Sequence, residues 1–293
     1  MRLAITCLCA LFVSILPFGT APLYAESCGK TDIRRVISLG GAITEIIYAL
    51  GEDAKLVGVD TTSSYPAKTI DLPKLGYYRA VSAEGLLARS PDMIIADADA
   101  GPDKVLEQVE RAGVCIVRTS DGGTLRSIVA RVQEVAEALG VSGDDLVGSL
   151  RSSFEEIRTK LQKIEKKPRV VFLLSASNGT PVVAGLDTEA DAIIKLAGGV
   201  NASSAIKGYK PLTPEAAIAA APDYILMMDH VVMQSGGADK IFAIPQIAMT
   251  PAGKEKRLIS MDGLLLLGFG PRTPQAIEHL ARKIHPEMTS LSE

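Results

Sequence analysis

A helix-and-strand unit occurs once in each half of this 293-residue chain. The first copy, VSAEGLLARSPDMIIA, covers residues 81–96, and the second, LTPEAAIAAAPDYILM, covers residues 212–227. In both copies a helix-capping Ser or Thr precedes a glutamate, a short apolar helix follows, and Pro-Asp introduces a buried strand. The repetition predicts two similar α/β lobes with a ligand cleft between them. Chance similarity is the alternative, because this joint is common in α/β proteins.

The first 25 residues have the composition of a secretory signal peptide. Arg2 supplies the short positive region, an apolar stretch runs from Leu3 to Leu16, and Leu-Tyr-Ala at 23–25 is an acceptable cleavage site. Because this stretch is short for a membrane span, we expect residues 1–25 to be removed on secretion. An uncleaved anchor is the alternative. No later segment is long and apolar enough to cross a bilayer.

Charge and cysteine content exclude two kinds of site. The chain has 31 basic and 34 acidic residues and no long basic run, which argues against nucleic acid as a partner. After removal of the signal peptide only Cys28 and Cys115 remain, and two cysteines this far apart do not form a zinc site. In an oxidising compartment they could form one disulfide, and two thiols that never meet are the alternative.

Short apolar runs alternate with amphipathic segments, a pattern that predicts parallel α/β sheets. From Leu146 to Ile164 the apolar positions recur every three or four residues, which predicts one helix of about 23 residues and roughly 34 Å. Pro168 should end it at Lys167. We therefore predict an N-terminal lobe at 26–143, a linking helix at 144–167 and a C-terminal lobe at 168–293. Lobes joined by one helix should move little.

The sequence resembles the cluster of periplasmic binding proteins that serve ABC importers of vitamin B12, siderophores and haem. The segments that carry the resemblance are RVISLGGAITEIIYALG (35–51), GYYRAVSAEGLL (76–87), VAGLDT (183–188), GYKPLTPEA (208–216) and LLGFGPR (266–272). The second and the last resemble the haem-binding branch in particular. The resemblance implies a monomeric periplasmic protein that binds haem (iron protoporphyrin IX) between its lobes and delivers it to an ABC permease dimer.

Besides a pure interaction or scaffold protein, which would need no internal cleft, there are two alternatives to a haem-binding protein. A cobalamin or ferric-siderophore binding protein of the same cluster is one, although such ligands are usually gripped by aromatic walls or an arginine cluster. This chain has no tryptophan and only 4% aromatic residues. An enzyme is the other, but no dinucleotide, Walker, nucleophile-elbow, zinc-protease or CxxC motif is present, so we expect no catalytic activity.

Tyr77 is the candidate iron ligand. A phenolate is one of the few protein groups that binds ferric porphyrin iron well, but free tyrosine ionises only near pH 10. A nearby cation favours the phenolate, and Arg79 can supply it if the segment is extended, since side chains at i and i+2 then share a face. Tyr78 should point the other way and pack against its own lobe. The resemblance implies that Tyr77 is the axial ligand.

Arg272 is the candidate cation of the second lobe. It precedes a helix predicted to have Thr273 as N-cap and Pro274 at the first helical position. A guanidinium beside a helix N-terminus can receive carboxylates, and the resemblance implies a propionate-binding arginine at this motif. An exposed arginine that only solvates the loop is the alternative.

The three histidines supply one further candidate. His230 follows a predicted strand near the end where ligands sit in open α/β sheets, so it could be a second axial ligand or only a rim residue. His279 and His285 should face solvent. The candidates for apolar contacts on the cleft wall are Tyr209, Val232 and Met233.

Glu84 and Glu215 occupy equivalent positions in the two repeated units. The resemblance implies that each glutamate meets an arginine on one permease subunit. Acidic residues are also favourable in the first turn of any helix, which explains either glutamate alone.

Overall fold

The computed structural model describes residues 32–176 and 180–291, so Cys28 and the predicted signal peptide lie outside the described residues. The N-terminal lobe contains one four-stranded parallel sheet in the order β2-β1-β3-β4. Its strands are β1 (Val36–Leu39), β2 (Leu56–Val59), β3 (Met93–Ala96) and β4 (Cys115–Arg118). Its helices are α1 (Gly41–Ala49), α2 (Ala83–Leu87), α3 (Asp103–Arg111) and α4 (Leu125–Leu139). Short 3₁₀ turns occupy Asp53–Lys55, Ala67–Asp71 and Tyr78–Ala80.

The C-terminal lobe follows helix α5 (Asp144–Leu161). Its sheet contains β5 (Arg169–Ser175), β6 (Val182–Ala184), β7 (Val200–Asn201), β8 (Tyr209–Pro211), β9 (Tyr224–Met228) and β10 (Leu258–Met261). Its helices are α6 (Glu189–Leu196), α7 (Pro214–Ala220), α8 (Asp229–Gln234), α9 (Ala238–Phe242), α10 (Pro245–Ala248), α11 (Pro251–Lys254), α12 (Gly263–Leu267) and α13 (Thr273–Ile284). A 3₁₀ turn at Pro286–Leu291 ends the described chain.

The second sheet is mixed, whereas the sequence predicts a parallel one. Strands β10, β9 and β5 are parallel, and β6 and β8 then add antiparallel neighbours at the other edge. The connection from β5 to β6 is too short for a crossover helix, so the chain must return antiparallel. The prediction of a two-lobed α/β fold is confirmed. The prediction that the second sheet is parallel is wrong.

The repeated unit has the same local structure in both lobes. Ser82 caps α2 by accepting a hydrogen bond from Gly85 N–H, and Thr213 caps α7 by accepting one from Ala216 N–H. The aspartate of each Pro-Asp pair then braces the start of the central strand. Asp92 Oδ2 accepts from Arg35 N–H at 3.0 Å.

Asp223 makes the equivalent contact in the second lobe, where its Oδ2 accepts from Arg169 N–H at 2.8 Å. The two arginines are also similar, because each donates its Nε to a main-chain carbonyl just before the Pro-Asp pair: Arg35 to Ser90 O, and Arg169 to Ala220 O, which stands one position earlier in its unit. The similarity of the two units therefore extends from sequence to individual hydrogen bonds.

The linking helix is shorter than its apolar pattern predicts. Helix α5 ends at Leu161, and the amides of Lys163 and Ile164 then bond three residues back rather than four. Residues 165–167 are all charged, so a helix that continued through them would bury no apolar side chain there. Pro168 also disfavours a helical conformation at Lys167. The helix therefore stops before the predicted Lys167.

The two lobes share a hydrophobic cluster, and each lobe also has a cluster of its own. The shared cluster contains Ile46 and Ile128 of the first lobe, Phe154 of α5, and Ile193 and Ile277 of the second lobe, among others. Gly123 is closely packed between the lobes, since a side chain there would collide with Ala192. In the part of the chain that the structure describes, no helix is long and apolar enough to span a membrane.

Candidate ligand-binding site

A cavity of about 950 Å³ lies between the lobes. Residues that follow the carboxyl ends of strands from both sheets line it, including Gly40 after β1, Asp97 after β3 and Asp262 after β10. Ligands of open α/β sheets bind at this end of the strands. The cavity is therefore the candidate binding site.

Tyr77 lies on the N-terminal wall of this cavity with 43% of its surface exposed. It ends an extended stretch, and the chain then enters the 3₁₀ turn at Tyr78–Ala80. The turn brings Arg79 back, so that its Nη1 donates a hydrogen bond to Tyr77 Oη at 2.8 Å. Tyr77 and Arg79 are therefore in contact, but through a turn rather than the extended segment that the spacing suggested.

Tyr78 is half buried and packs against the core of its own lobe. Its ring meets that of Tyr77 edge to face, and the guanidinium of Arg79 lies 4.7 Å from its centroid. Burial raises the pKa of Tyr78 strongly and the nearby Asp97 raises it further, despite the opposing effect of Arg79. Tyr78 also reaches the cavity wall, but as a neutral phenol held under Arg79.

Arg131 forms the floor of the cavity and is almost fully buried. Its Nη2 lies 3.1 Å from Asp121 and 3.7 Å from Asp97. Its Nη1 donates across the cleft to Gly268 O at 3.2 Å. Burial raises the pKa of Asp97, and Arg131 opposes this effect. One buried cation thus joins two carboxylates of the first lobe to the backbone of the second.

The C-terminal wall carries the third tyrosine of the cavity. The hydroxyl of Tyr209 donates to Glu189 Oε2 at 3.2 Å, and burial together with this carboxylate raises the pKa of Tyr209 well above its usual value. Apolar surface comes from Leu264, Leu267 and Phe269. Of the predicted wall residues, Tyr209 lines the cavity, whereas Val232 and Met233 are not among its lining residues.

The structure confirms the predicted exposure of His279 but not that of His285. His230 is exposed in the first turn of α8 and lies on the cavity wall, and His279 faces solvent as predicted. His285 is buried, which corrects the prediction that it faces solvent. The chain turns inward after α13, and His285 Nε2 lies 3.1 Å from Ala197 O.

Arg272 is not among the residues that line the cavity. Its Nε and Nη2 donate to the two carboxylate oxygens of Glu45 at 3.0 and 2.5 Å, and its guanidinium stacks 3.6 Å from the ring centroid of Tyr65. Burial raises the pKa of Glu45, and the pair with Arg272 opposes this effect. Arg272 therefore joins the second lobe to helix α1 of the first.

The predicted cap of α13 is displaced by one residue. Thr273 is already helical, and its hydroxyl donates to Gly270 O at 2.8 Å instead of accepting a backbone N–H. Arg272 therefore occupies the N-cap position, without a side-chain cap of its own. The bidentate pair with Glu45 holds this turn in place.

Glu84 and Glu215 are both exposed in the first turns of α2 and α7. Neither carboxylate forms an ion pair with another described residue. The two glutamates are thus equivalent in helix position, exposure and freedom from such pairs. Cys115 is disulfide-bonded, and Cys28, its candidate partner, lies outside the described residues.

Several charged residues of the cavity do not appear among the sequence candidates, and three of them are Asp97, Asp99 and Arg131. Asp97 and Asp99 follow β3, and the rule that ligand sites lie at the carboxyl ends of strands could have found them. Arg131 interrupts the apolar stripe of α4 between Ile128 and Val132, and a charge at such a position is a recognisable exception to the helical pattern.

Comparison with known proteins places this architecture among binding proteins. A family model described as "Periplasmic binding protein" matches residues 36–264. The periplasmic heme-binding protein BhuT, solved with two hemes, is 40% identical, with a TM-score of 0.83 over 87% of this chain and 98% of that one.

Two further proteins are similar over most of their length. The periplasmic heme-binding protein RhuT from Roseiflexus sp. RS-1, solved in apo form, is 40% identical, with a TM-score of 0.84 over 88% of this chain and 100% of that one. The vitamin B12-binding protein of Vibrio vulnificus (strain CMCP6) is 29% identical over 88% of this chain and 92% of its own.

Proposed function

The chain belongs to the periplasmic binding protein family, and we propose that it binds ferric haem between its lobes and delivers it to the permease of an ABC importer. The family consists of substrate-binding proteins of ABC transporters rather than enzymes. The observation that carries the proposal is the hydrogen bond from Arg79 to Tyr77 Oη on the wall of the interlobe cavity.

The chemistry of this pair suits ferric haem. A phenolate is a hard ligand for Fe³⁺, and a guanidinium that donates to its oxygen stabilises the charged form over the phenol. Tyr77 is exposed to the cavity and already has this donor, whereas the neighbouring Tyr78 is half buried and its pKa is raised. Of the two adjacent tyrosines, Tyr77 is the better iron ligand.

His230 and Arg272 are further candidates for contact with haem. His230 on the cavity wall is available as a second axial ligand or as a rim contact. Arg272 remains a candidate for a propionate contact only if its pair with Glu45 opens on binding. The proposed location is the periplasm, because the family is periplasmic and the first 25 residues have the composition of a signal peptide.

Absorption spectra of the Tyr77→Phe variant with added hemin test the proposed ligand. The wild-type protein should show the charge-transfer bands of an iron–tyrosinate complex, and Tyr77→Phe should lose these bands and most of its affinity. Tyr78→Phe should keep the bands, because its hydroxyl is not the proposed ligand. An unchanged spectrum in Tyr77→Phe would rule out Tyr77 as the iron ligand.

Cobalamin is the second candidate ligand, because the similar protein from Vibrio vulnificus is a vitamin B12-binding protein. The described part of this chain offers no tryptophan to a corrin ring, and the cavity instead presents a tyrosine paired with an arginine. Parallel titrations with hemin and cyanocobalamin distinguish the two. Tight binding of cyanocobalamin without hemin binding would favour the second candidate.

We further propose that Glu84 and Glu215 dock onto the two permease subunits. An exposed carboxylate in the first helical turn of each lobe could meet one arginine on each half of a dimeric permease. Neither is paired with another described residue, so docking would not have to break an ion pair of the protein itself.

A further inference from the structure

We infer that Asp99 is a positioning residue of the haem site, whose carboxylate holds the guanidinium of Arg79 against the hydroxyl of Tyr77. The inference rests on the proposed function, because it assigns a supporting contact to the proposed ligand. Asp99 itself does not contact Tyr77 Oη in the structure. It acts through Arg79.

The contacts of Arg79 show how the carboxylate would act. Arg79 Nη2 donates to Asp99 Oδ2 at 2.7 Å, while Nη1 donates to Tyr77 Oη at 2.8 Å. The two nitrogens belong to one planar group, so fixing one direction fixes the other. The side chain of Arg79 is 43% exposed, and without the carboxylate its long stem could adopt other rotamers in solvent.

The backbone holds Asp99 in place relative to Arg79. Asp99 N–H donates to the carboxylate of Asp97 at 3.2 Å, and Asp97 is itself close to the buried Arg131. Gly101 N–H donates to Tyr78 O, and Val81 N–H donates to Gly101 O. The loop after β3 and the turn that carries Arg79 are therefore joined by main-chain hydrogen bonds between Gly101 and residues on both sides of Arg79.

If only the charge of Asp99 mattered, its removal would have the opposite effect on iron–tyrosinate binding, which makes the inference testable. A carboxylate near a phenolate disfavours the charged phenolate, and it also neutralises the cation that stabilises it. If Asp99 acted only through its charge, its removal would strengthen iron–tyrosinate binding. If it acts by positioning Arg79, its removal weakens binding.

The experiment is an acid titration of the iron–tyrosinate band of the hemin complex, with the hemin affinity measured alongside. Protons compete with iron for the phenolate oxygen, so the band disappears as the pH falls. In Asp99→Ala the midpoint should move up by about one pH unit and the affinity should fall about tenfold, since one unit corresponds to a factor of ten. Asp99→Asn should retain most of both, because an amide oxygen still accepts from Arg79.

Asp32→Ala is the matched control. Asp32 pairs with Arg34 at 2.6 Å in the same lobe, also as an exposed Arg–Asp pair, and it is not among the residues that line the interlobe cavity. Its removal should leave the midpoint and the affinity at wild-type values. A midpoint in Asp99→Ala that stays unchanged or moves down would overturn the inference, and Asp99→Ser provides the same comparison if Asp99→Ala folds poorly.

A measurement without haem separates this inference from the proposed function. In the apo protein, nitrogen-detected NMR should show slow rotation of the Arg79 guanidinium, and Asp99→Ala should make it fast. If hemin binding or its dependence on Tyr77 fails, the proposed function is wrong whatever Asp99 does. If both hold while Asp99→Ala behaves as wild type in both experiments, only the positioning role is wrong.

Discussion

At the scale of single residues, the charged side chains around the cavity are organised by partners in the folded chain. Arg79 is held between Tyr77 and Asp99, and Arg131 between two carboxylates and the backbone of the other lobe. Arg272 is held by Glu45. Arg272 and Glu45 are both largely buried, and because buried charges need partners, replacing one of them should cost more stability than replacing both.

Arg272→Ala tests this expectation at the interlobe pair. The substitution leaves the nearly buried Glu45 without its cation, and we expect the free energy of unfolding in urea to fall by about 3–5 kcal/mol. The double variant Glu45→Leu with Arg272→Met should recover much of this loss.

The same variant tests the propionate role that the resemblance implies for Arg272. If Arg272 serves only the interlobe pair, Arg272→Ala should change the affinities for hemin and for its propionate diester equally. A loss confined to free hemin would instead show that Arg272 binds a propionate.

At the scale of elements, the repeated unit is the feature that recurs in full detail. Each copy has a capped short helix, a Pro-Asp pair and a buried strand, and each aspartate braces the first strand of its lobe. The caps and braces account for the Ser, Thr and Asp of the motif. They do not account for Glu84 and Glu215, whose carboxylates are exposed and form no ion pair among the described residues.

Reversing both exposed charges tests the docking proposal. Glu84→Arg with Glu215→Arg should leave hemin affinity nearly unchanged and lower stability only slightly, since an acidic residue in the first turn contributes about 0.3–1 kcal/mol. Transfer of haem into vesicles that carry the cognate permease should stop, because arginine would then face arginine.

Two outcomes would contradict this proposal in different ways. Normal transfer by the double variant would exclude a docking role for both glutamates. Loss of hemin binding would mean that they belong to the pocket rather than to the partner surface. Glu107→Arg with Glu255→Arg is a suitable control, because both glutamates are exposed and lie outside the repeated units.

At the scale of the whole molecule, the lobes are packed as one unit. They share a hydrophobic cluster through α5, and two further contacts cross the interface near the cavity: Arg131 to the backbone at Gly268, and Arg272 to Glu45. A cleft held in this way should change little in width when a ligand enters, as the single linking helix also predicts.

Equilibrium unfolding tests whether the two lobes unfold together. We expect one cooperative transition in urea, with far-ultraviolet and tyrosine near-ultraviolet circular dichroism giving the same midpoint, because neither lobe can lose its share of the common cluster independently. Small-angle scattering should give the same radius of gyration with and without hemin. Two separate transitions, or a clear compaction on hemin binding, would show that the lobes behave as independent bodies.

The sequence by itself determined the features that depend on neighbouring residues. The apolar pattern placed a buried strand after each Pro-Asp pair, where β3 and β9 lie, because the burial pattern of a strand is set by its own residues. The caps at Ser82 and Thr213 were equally local. Tyr77 and Arg79 could be paired from their spacing because only one residue separates them, although the turn that joins them was not foreseen.

Only the tertiary structure decided which distant charges meet. Arg272 and Glu45 are separated by 227 positions and Arg131 and Gly268 by 137, and nothing near either arginine in the chain specifies its partner. The burial of His285 against Ala197 and the antiparallel edge of the second sheet have the same origin. Such contacts depend on how one lobe lies against the other or how a sheet closes its edge, and the packing of the assembled core fixes both.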